Sequence, residues 1–349
     1  MTDQHVPAAT TPLRFGLVGT GHWARVAHAR ALATAPDIEF VAVWGRNADA
    51  RTALADEYGV AGHEDFDAFL DGLDGVAFSV PPDVQAELAT RAAHRGKHLL
   101  LEKPLALSEP AGAELVAAVE AAGVASVVFF VSRFQPEVRD WLDDVAAAGD
   151  WDGGQSLWLG TAHASDSPFN TPWRREKGGL WDLGPHVISL LWAILGPVTE
   201  VTATAGQRDL THLVLRHDGG ATSTATLTLS APPAADGFDL AIWGEAGRRS
   251  LPRLPGDPAV PLRTALTELA ANARSGERRH PCDAEFALKV LRVLAAAQAQ
   301  LDERAGAEPR ADRRSGSDRP GREPAGDAVA GGGGGETRPV NASEGQPPR

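Results

Sequence analysis

The chain has 349 residues, 43% of them hydrophobic, enough to bury two cores, and its formal net charge is −13. That acidity argues against a nucleic acid or an anionic membrane as the main partner. A single cysteine, Cys282, excludes an internal disulfide and a cysteine-rich metal site, and it points to a reducing compartment. Residues 1–12 lack the charged-then-apolar layout of a signal peptide, and no run approaches the apolar length of a membrane span. The expectation is a soluble, cytoplasmic protein.

In chain order, short apolar strands are expected at Arg14–Val18, Ile38–Trp44, Val76–Val80, His98–Glu102 and Ser126–Val131. Helical patterns separate them at His22–Thr34, Asp49–Tyr58, Val84–Arg95 and Glu109–Ala122. Alternating units of this size predict an α/β fold with a doubly wound parallel sheet. After a helix near Pro136–Ala147 the pattern changes. Strands are expected around Ser156–Ala162, Glu200–Ala205, Thr211–His217, Ala221–Ser230 and Asp239–Trp243, several of them alternating and rich in Thr and Val. Asp218-Gly219-Gly220 reads as a hairpin turn, so the second sheet is expected to be open and largely antiparallel. Two helices follow, Pro261–Ser275 and Asp283–Ala305, the latter with a stripe of Phe286, Leu288, Val290, Leu291 and Leu294. From Gly306 the chain is dominated by Gly, Pro, Arg, Asp and Glu, a composition that cannot offset the entropy of ordering. The organisation expected is a flexible start over 1–12, a nucleotide-binding domain over 13–132, a substrate-binding and oligomerisation domain over 133–305, and a disordered tail over 306–349.

Gly19-Thr20-Gly21-His22-Trp23-Ala24 follows the first strand and opens a helix, which is G-x-G-x-x-A in the context that gives it meaning. Gly19 permits the tight turn, Gly21 lets backbone approach a pyrophosphate, and Ala24 keeps the helix close to the sheet. The helix N-terminus offers its N–H groups to the phosphates. The end of the second strand decides the cofactor. Dinucleotide folds selective for NAD carry an acid there for the ribose hydroxyls. Here the chain reads Val43-Trp44-Gly45-Arg46-Asn47, with an arginine suited to a 2′-phosphate, so NADP is favoured and NAD is the alternative.

Leu99-Leu100-Leu101-Glu102-Lys103-Pro104 runs an apolar strand into a carboxylate, an amine and a proline. The chain has only four lysines, Lys97, Lys103, Lys177 and Lys289, and arginine supplies every other strong base. A lysine kept at a strand end fits a group that moves a proton, which arginine cannot do. The strand-end position also raises a cis Lys103–Pro104 bond.

These residues are similar to those of the Gfo/Idh/MocA oxidoreductases. The resemblance rests on the glycine turn, on Pro81-Pro82 after a strand and on Gly96–Pro104. It rests also on Trp173-Arg174 with Gly178-Gly179-Leu180-Trp181-Asp182-Leu183-Gly184-Pro185-His186, and it spans roughly Leu13 to Ala305. It implies an N-terminal Rossmann domain and a C-terminal α/β domain whose open sheet joins copies into a homo-oligomer, a dimer or tetramer. It implies catalytic roles for Lys103, Asp182 and His186. For the cofactor it implies Gly19, Thr20, Gly21, His22, Trp23, Gly45, Arg46, Val80, Pro81, Pro82, Glu102 and Lys103. For the substrate it implies Arg133, Trp173, Arg174, Asp182 and His186. Two positions depart from the family pattern: Gln85, where many members carry histidine, and Ser189, where many carry aspartate.

If Leu180–Leu195 is helical, Asp182 and His186 share a face, so Asp182 is expected to orient His186 and to stabilise its protonated form. His186 leads as the proton carrier, with Lys103 bonded to the same substrate oxygen; sequence leaves open which of the two moves the proton. No His or Cys cluster has the spacing of a metal site. The segment Thr161–Lys177 is expected to be a loop that meets the substrate. The expected activity is NAD(P)-dependent hydride transfer at a hydroxyl or carbonyl carbon of a sugar, cyclitol or derivative. The alternatives are a dinucleotide-sensing regulator without turnover and an enzyme for a non-sugar substrate such as an aromatic diol.

Overall fold

The computed structural model describes residues 11–253 and 256–307. Residues 1–10 of the expected flexible start, and the expected tail after residue 307, lie outside the described residues.

The first sheet has the order β3-β2-β1-β4-β5-β6 and is parallel throughout. Its strands are β1 (Leu13–Val18), β2 (Ile38–Trp44), β3 (Ala61–His63), β4 (Gly75–Phe78), β5 (His98–Glu102) and β6 (Ser126–Phe129). Helices cover both faces, so the central strands are continuously apolar, and Leu99, Leu100 and Leu101 of β5 are fully buried. The strand order reverses at β1 and β4, which opens a crevice at their carboxyl ends, the place where open α/β sheets bind ligands. The glycine turn follows β1, Pro81 and Pro82 follow β4, and Lys103 follows β5, so all three reach that one edge.

The second sheet has the order β12-β11-β7-β10-β9-β8. Its strands are β7 (Trp151–Leu159), β8 (Val198–Ala205), β9 (Thr211–His217), β10 (Thr222–Thr228), β11 (Gly237–Gly244) and β12 (Gly247–Ser250). Only β7 and β10 pair in parallel, and the other pairs are antiparallel. Leu213 and Leu215, Ala225 and Leu227, and Leu240 and Ile242 are buried on one face. The helices Gly184–Leu195 and Ala284–Ala307 pack against this sheet, and the last helix also touches β6 of the first sheet. The expected turn at Asp218-Gly219-Gly220 joins β9 to β10, with Gly220 at φ +89°.

Several expectations need correction. Strands β3 and β12 and the helix Phe66–Leu70 were absent from the sequence pattern. The strand expected from Ser156 begins at Trp151, because Gly153 and Gly154 mask its alternation. The last helix extends through Ala307, past the expected start of the tail. The expected loop Thr161–Lys177 turns helical at Pro172, and the helix Pro172–Asp182 breaks at Gly178 (φ +64°, ψ −163°). Together with the next helix it forms a stretch, Pro172–Leu195, long and apolar enough by length and composition to cross a bilayer, contrary to the sequence reading. Most of that stretch is buried inside the protein, where it serves as core.

Candidate active site

The turn after β1 is shaped by close approach. Gly19 has φ +125°, and a Cβ there would lie 2.3 Å from the Ser79 carbonyl oxygen, so only glycine fits. A Cβ on Gly21 would meet nothing within 4 Å, and Gly21 therefore faces the open space a pyrophosphate would occupy. Ala24 is fully buried at the start of the helix that follows. That helix runs in π geometry over Ala24–Ala29, a form that recurs at functional sites. Trp23 and His28, five residues apart, reach the same oxygen. Trp23 Nε1 donates to Glu102 Oε1 at 2.7 Å, and His28 Nε2 lies 2.8 Å from it. Gly45 is packed against Thr20 at the end of β2, and Arg46 beside it is exposed.

The Glu102-Lys103-Pro104 turn is splinted by Gln85, a fully buried residue on the helix Pro82–His94. Its amide oxygen accepts from the Glu102 N–H at 2.8 Å, and its amide nitrogen donates to the Glu102 carbonyl at 2.7 Å. The position that departs from the family pattern thus holds both main-chain groups of the residue before Lys103. The Lys103–Pro104 bond is cis. Lys103 Nζ then crosses to the helix Pro172–Asp182, donating to Asp182 Oδ1 at 2.6 Å and to the Asp182 carbonyl at 2.7 Å. Both side chains are about nine-tenths buried. An ammonium has three N–H donors, so one remains for a ligand.

Asp182 is held from the other side by Arg174, whose Nε lies 3.0 Å from Oδ2. The Arg174 guanidinium stacks over the Trp173 ring, 4.5 Å from its centre, and faces Phe169 at 5.6 Å. Burial alone would raise the Asp182 pKa, but the Lys103 ammonium and the Arg174 guanidinium outweigh it and hold the carboxyl well below the usual carboxylate range. His186, in the first turn of the helix Gly184–Leu195, is also buried. Desolvation pushes its pKa well below the ordinary imidazole value, the Lys103 charge adds to this, and Asp182 opposes it only in part. Burial and the Lys103 charge thus both favour the neutral imidazole.

This corrects the sequence expectation for Asp182. The two residues stand one helical turn apart, yet no hydrogen bond joins them: Asp182 Oδ1 is taken by Lys103, and Oδ2 faces Arg174 as an ion pair without hydrogen-bond geometry. His186 Nδ1 is buried without a partner. Ser189, the second departure, donates its hydroxyl to the His186 carbonyl at 2.8 Å.

These groups line one cleft of about 430 Å³. It brings together Gly21, His22, Trp23, Val80, Pro81, Pro82, Glu102 and Lys103 from the first sheet with Trp173, Arg174, Asp182 and His186 from the second. Gly19, Thr20, Gly45 and Arg46 stand outside its walls, at the β1 and β2 ends. Arg133 is a second correction, because it is not among the residues that line the cleft: its Nη1 donates to the Ser189 carbonyl at 2.9 Å and its guanidinium faces Phe286. Two aromatic walls were missed. Trp158 of β7 stacks on Phe238 with ring centres 4.2 Å apart and lies 5.6 Å from His186. Phe169 meets His22 and Trp23 edge-on at 5.5 and 5.9 Å. Alternation in β7 with the buried Ser156 was the available signal for Trp158; nothing in the local sequence marks Phe169.

Residues 13–130 match the model described as an oxidoreductase family with an NAD-binding Rossmann fold, and residues 148–249 match the GFO/IDH/MocA C-terminal domain. The class that fold and cleft define is therefore an oxidoreductase with a nicotinamide-dinucleotide domain. Within that class, the chain belongs to the Gfo/Idh/MocA family. It is 29% identical over 212 residues to a dTDP-3,4-didehydro-2,6-dideoxy-alpha-D-glucose 3-reductase of Streptomyces violaceoruber, covering 59% of this chain and 58% of the relative. It is 28% identical over 238 residues to D-xylose 1-dehydrogenase (NADP(+)) 2 of Haloferax volcanii, covering 63% of this chain and 70% of the relative. The fold is that of levoglucosan dehydrogenase, solved with NADH and levoglucosan. The TM-score is 0.73 at 19% identity, covering 84% of this chain and 98% of that one.

Replacing Gln85 with Leu keeps the volume and removes both main-chain partners of Glu102. Unpaired buried groups cost about 1–3 kcal/mol each, so the urea midpoint of Gln85→Leu is expected to fall clearly. A midpoint equal to that of the unaltered protein would show that the splint does not hold the turn.

Proposed function

We propose that the chain is an NADP-preferring oxidoreductase that interconverts an alcohol with a ketone or aldehyde on a sugar, cyclitol or related polyhydroxylated ring. One observation carries the proposal: the glycine turn and the Lys103, Asp182, Arg174 and His186 set open onto the same cleft. The residues fit a dinucleotide, since Gly21 leaves room for a pyrophosphate and the first helix begins there. The bound nicotinamide supplies or accepts the hydride. For the adenosine end, Arg46 is exposed at the β2 terminus, has no ion-pair partner among the described residues, and has no acid at its side before Asp49. This favours the 2′-phosphate of NADP.

The protein's own groups divide the proton work. Lys103, fixed by two bonds to Asp182, gives its remaining N–H to the substrate oxygen and stabilises developing negative charge. His186, kept neutral by burial, takes the hydroxyl proton in oxidation and returns it in reduction. Trp158, Trp173 and Phe169 offer flat apolar faces, and Arg174 offers N–H groups at the rim. That combination suits a ring with apolar faces and hydroxyl edges, and relatives named for sugar oxidation and reduction support it. The second sheet also supports a homo-oligomer. Leu157, Val214 and Trp243, exposed to 41, 47 and 39%, lie on the one sheet face that no helix among the described residues covers, suited to a second copy of the chain.

A panel of sugars, cyclitols and aromatic diols, followed by NADPH absorbance, tests the substrate class. Turnover of sugars or cyclitols is expected, and turnover of aromatic diols alone would reject it. With the substrate so found, Lys103→Ala is expected to bind NADPH as before and to lose at least about a hundredfold in turnover. Undiminished turnover would remove Lys103 from its role. In fluorescence titrations Arg46→Ala should lose about 1.5–3 kcal/mol of NADPH binding, roughly ten- to hundredfold, with little change for NADH. Equal losses for both would mean that Arg46 does not read the 2′-phosphate.

A further inference from the structure

Asp209 stands at the tip of the β8–β9 hairpin, outside the lining of the cleft, yet its carboxylate reaches the backbone of the segment that carries Asp182. The hairpin tip is closed by the Gly206 N–H on the Leu210 carbonyl at 2.7 Å. Within it Arg208 has φ +59°, the only non-glycine in the left-handed region among the described residues. A strained residue of this kind persists only where its surroundings over-determine it. Both residues at the tip bond back to the end of β10. Arg208 Nη1 donates to the Ser230 carbonyl at 2.9 Å. Asp209 Oδ1 accepts from the Thr228 hydroxyl at 2.7 Å, and Oδ2 accepts from the Leu229 N–H at 2.7 Å.

The remaining bond of Asp209 leads to the catalytic segment. The same Oδ2 accepts from the Gly179 N–H at 3.0 Å. Gly179 follows the break at Gly178, where the helix that carries Asp182 restarts. Neither glycine tolerates a side chain. A Cβ on Gly178, at φ +64°, would lie 3.0 Å from Asp209 Cβ, and one on Gly179 would lie 2.8 Å from the Thr228 backbone. The segment is thus pressed against β10 and stapled there by one carboxylate. Burial works against the charge of Asp209, but the donors around it hold its pKa below the ordinary value, so the staple is ionised. One turn further, the Asp182 carbonyl and carboxylate are the two groups that fix Lys103.

We infer that Asp209 is a positioning residue: it fixes the Gly178–Gly179 break against β10 and so sets the place of Asp182, through which it holds Lys103 in the cleft. The inference rests on Lys103 and Asp182 working as a pair, but it can be read from geometry alone, without a substrate. Because the chain has only four lysines, competitive acylation of the full chain with trace acetic anhydride, quantified by peptide mass spectrometry, reports each of them separately. Lys103 tied to Asp182 is shielded, and Asp182→Asn, which loosens that tie directly, gives the reference for an unshielded Lys103. In Asp209→Ala, labelling of Lys103 is expected to rise severalfold toward that reference, while Lys97, Lys177 and Lys289 stay as in the unaltered protein. Asp209→Asn keeps an oxygen for both N–H groups and should restore the shielding. If Asp209→Ala does not fold, Thr228→Val, which removes one bond of the staple, is expected to raise Lys103 labelling in the same selective way. Labelling of Lys103 that is unchanged, or that rises together with the other three lysines, would overturn the inference, the second result marking a merely structural role. If turnover assays reject the proposed substrate while Lys103 still responds selectively, the proposed function fails and the positioning role stands.

Discussion

The site depends on one buried ion pair between two separately built sheets. Lys103 comes from the carboxyl edge of the parallel sheet, and Asp182 comes from a helix packed on the mixed sheet. Their separation of 2.6 Å defines the floor of the cleft. Taking two charges out of water is expensive, and such pairs seldom add net stability. Here the cost is offset by further partners: Arg174 on the second carboxylate oxygen and a second bond from Lys103 to the Asp182 carbonyl. Removing either partner leaves the other charge buried, so the pair holds its geometry more firmly than its net energy would suggest. The low pKa of His186 comes first from its burial, and the same arrangement adds to it, because the Lys103 and Arg174 cations stand near it and Asp182 opposes them only in part.

Glutamate, lysine and proline at a strand end are only as useful as the backbone that presents them, and each support comes from a different element. Gln85 holds the main chain before Lys103, Trp23 and His28 hold the Glu102 carboxylate from the π-helical turn, and the Gly178–Gly179 break delivers Asp182. The glycines are required by contact: a side chain at Gly19 would strike the Ser79 carbonyl, and one at Gly179 would strike β10. Gly21 is required for the opposite reason, since the space beside it must stay open.

Much of this was legible in the sequence where a local physical demand leaves a local mark. The G-x-G-x-x-A turn, the apolar run of β5 and the four-residue spacing of Asp182 and His186 are such marks. Strands β3 and β12 left none, because they are short and almost wholly exposed, with no alternation to read. The helix Pro172–Asp182 was hidden by its charges and its paired glycines. The misreadings share a cause. Periodicity tells which residues share a face, not which side chain a distant element will offer. Asp182 was matched with His186 on its own helix, whereas Lys103 arrives from the other sheet. Arg133 was placed in the cleft by family register, whereas the Ser189 carbonyl and Phe286 draw it elsewhere.

In the proposed mechanism Lys103 acts only as Asp182 holds it. A double-mutant cycle on kcat with Lys103→Ala, Asp182→Ala and the pair together separates a coupled pair from two independent groups. If the two act as one unit, each single change costs a large factor and the double variant is no slower than Lys103→Ala alone. Losses that multiply in the double variant would mean that the two residues act independently and that Asp182 does not hold Lys103 for its role.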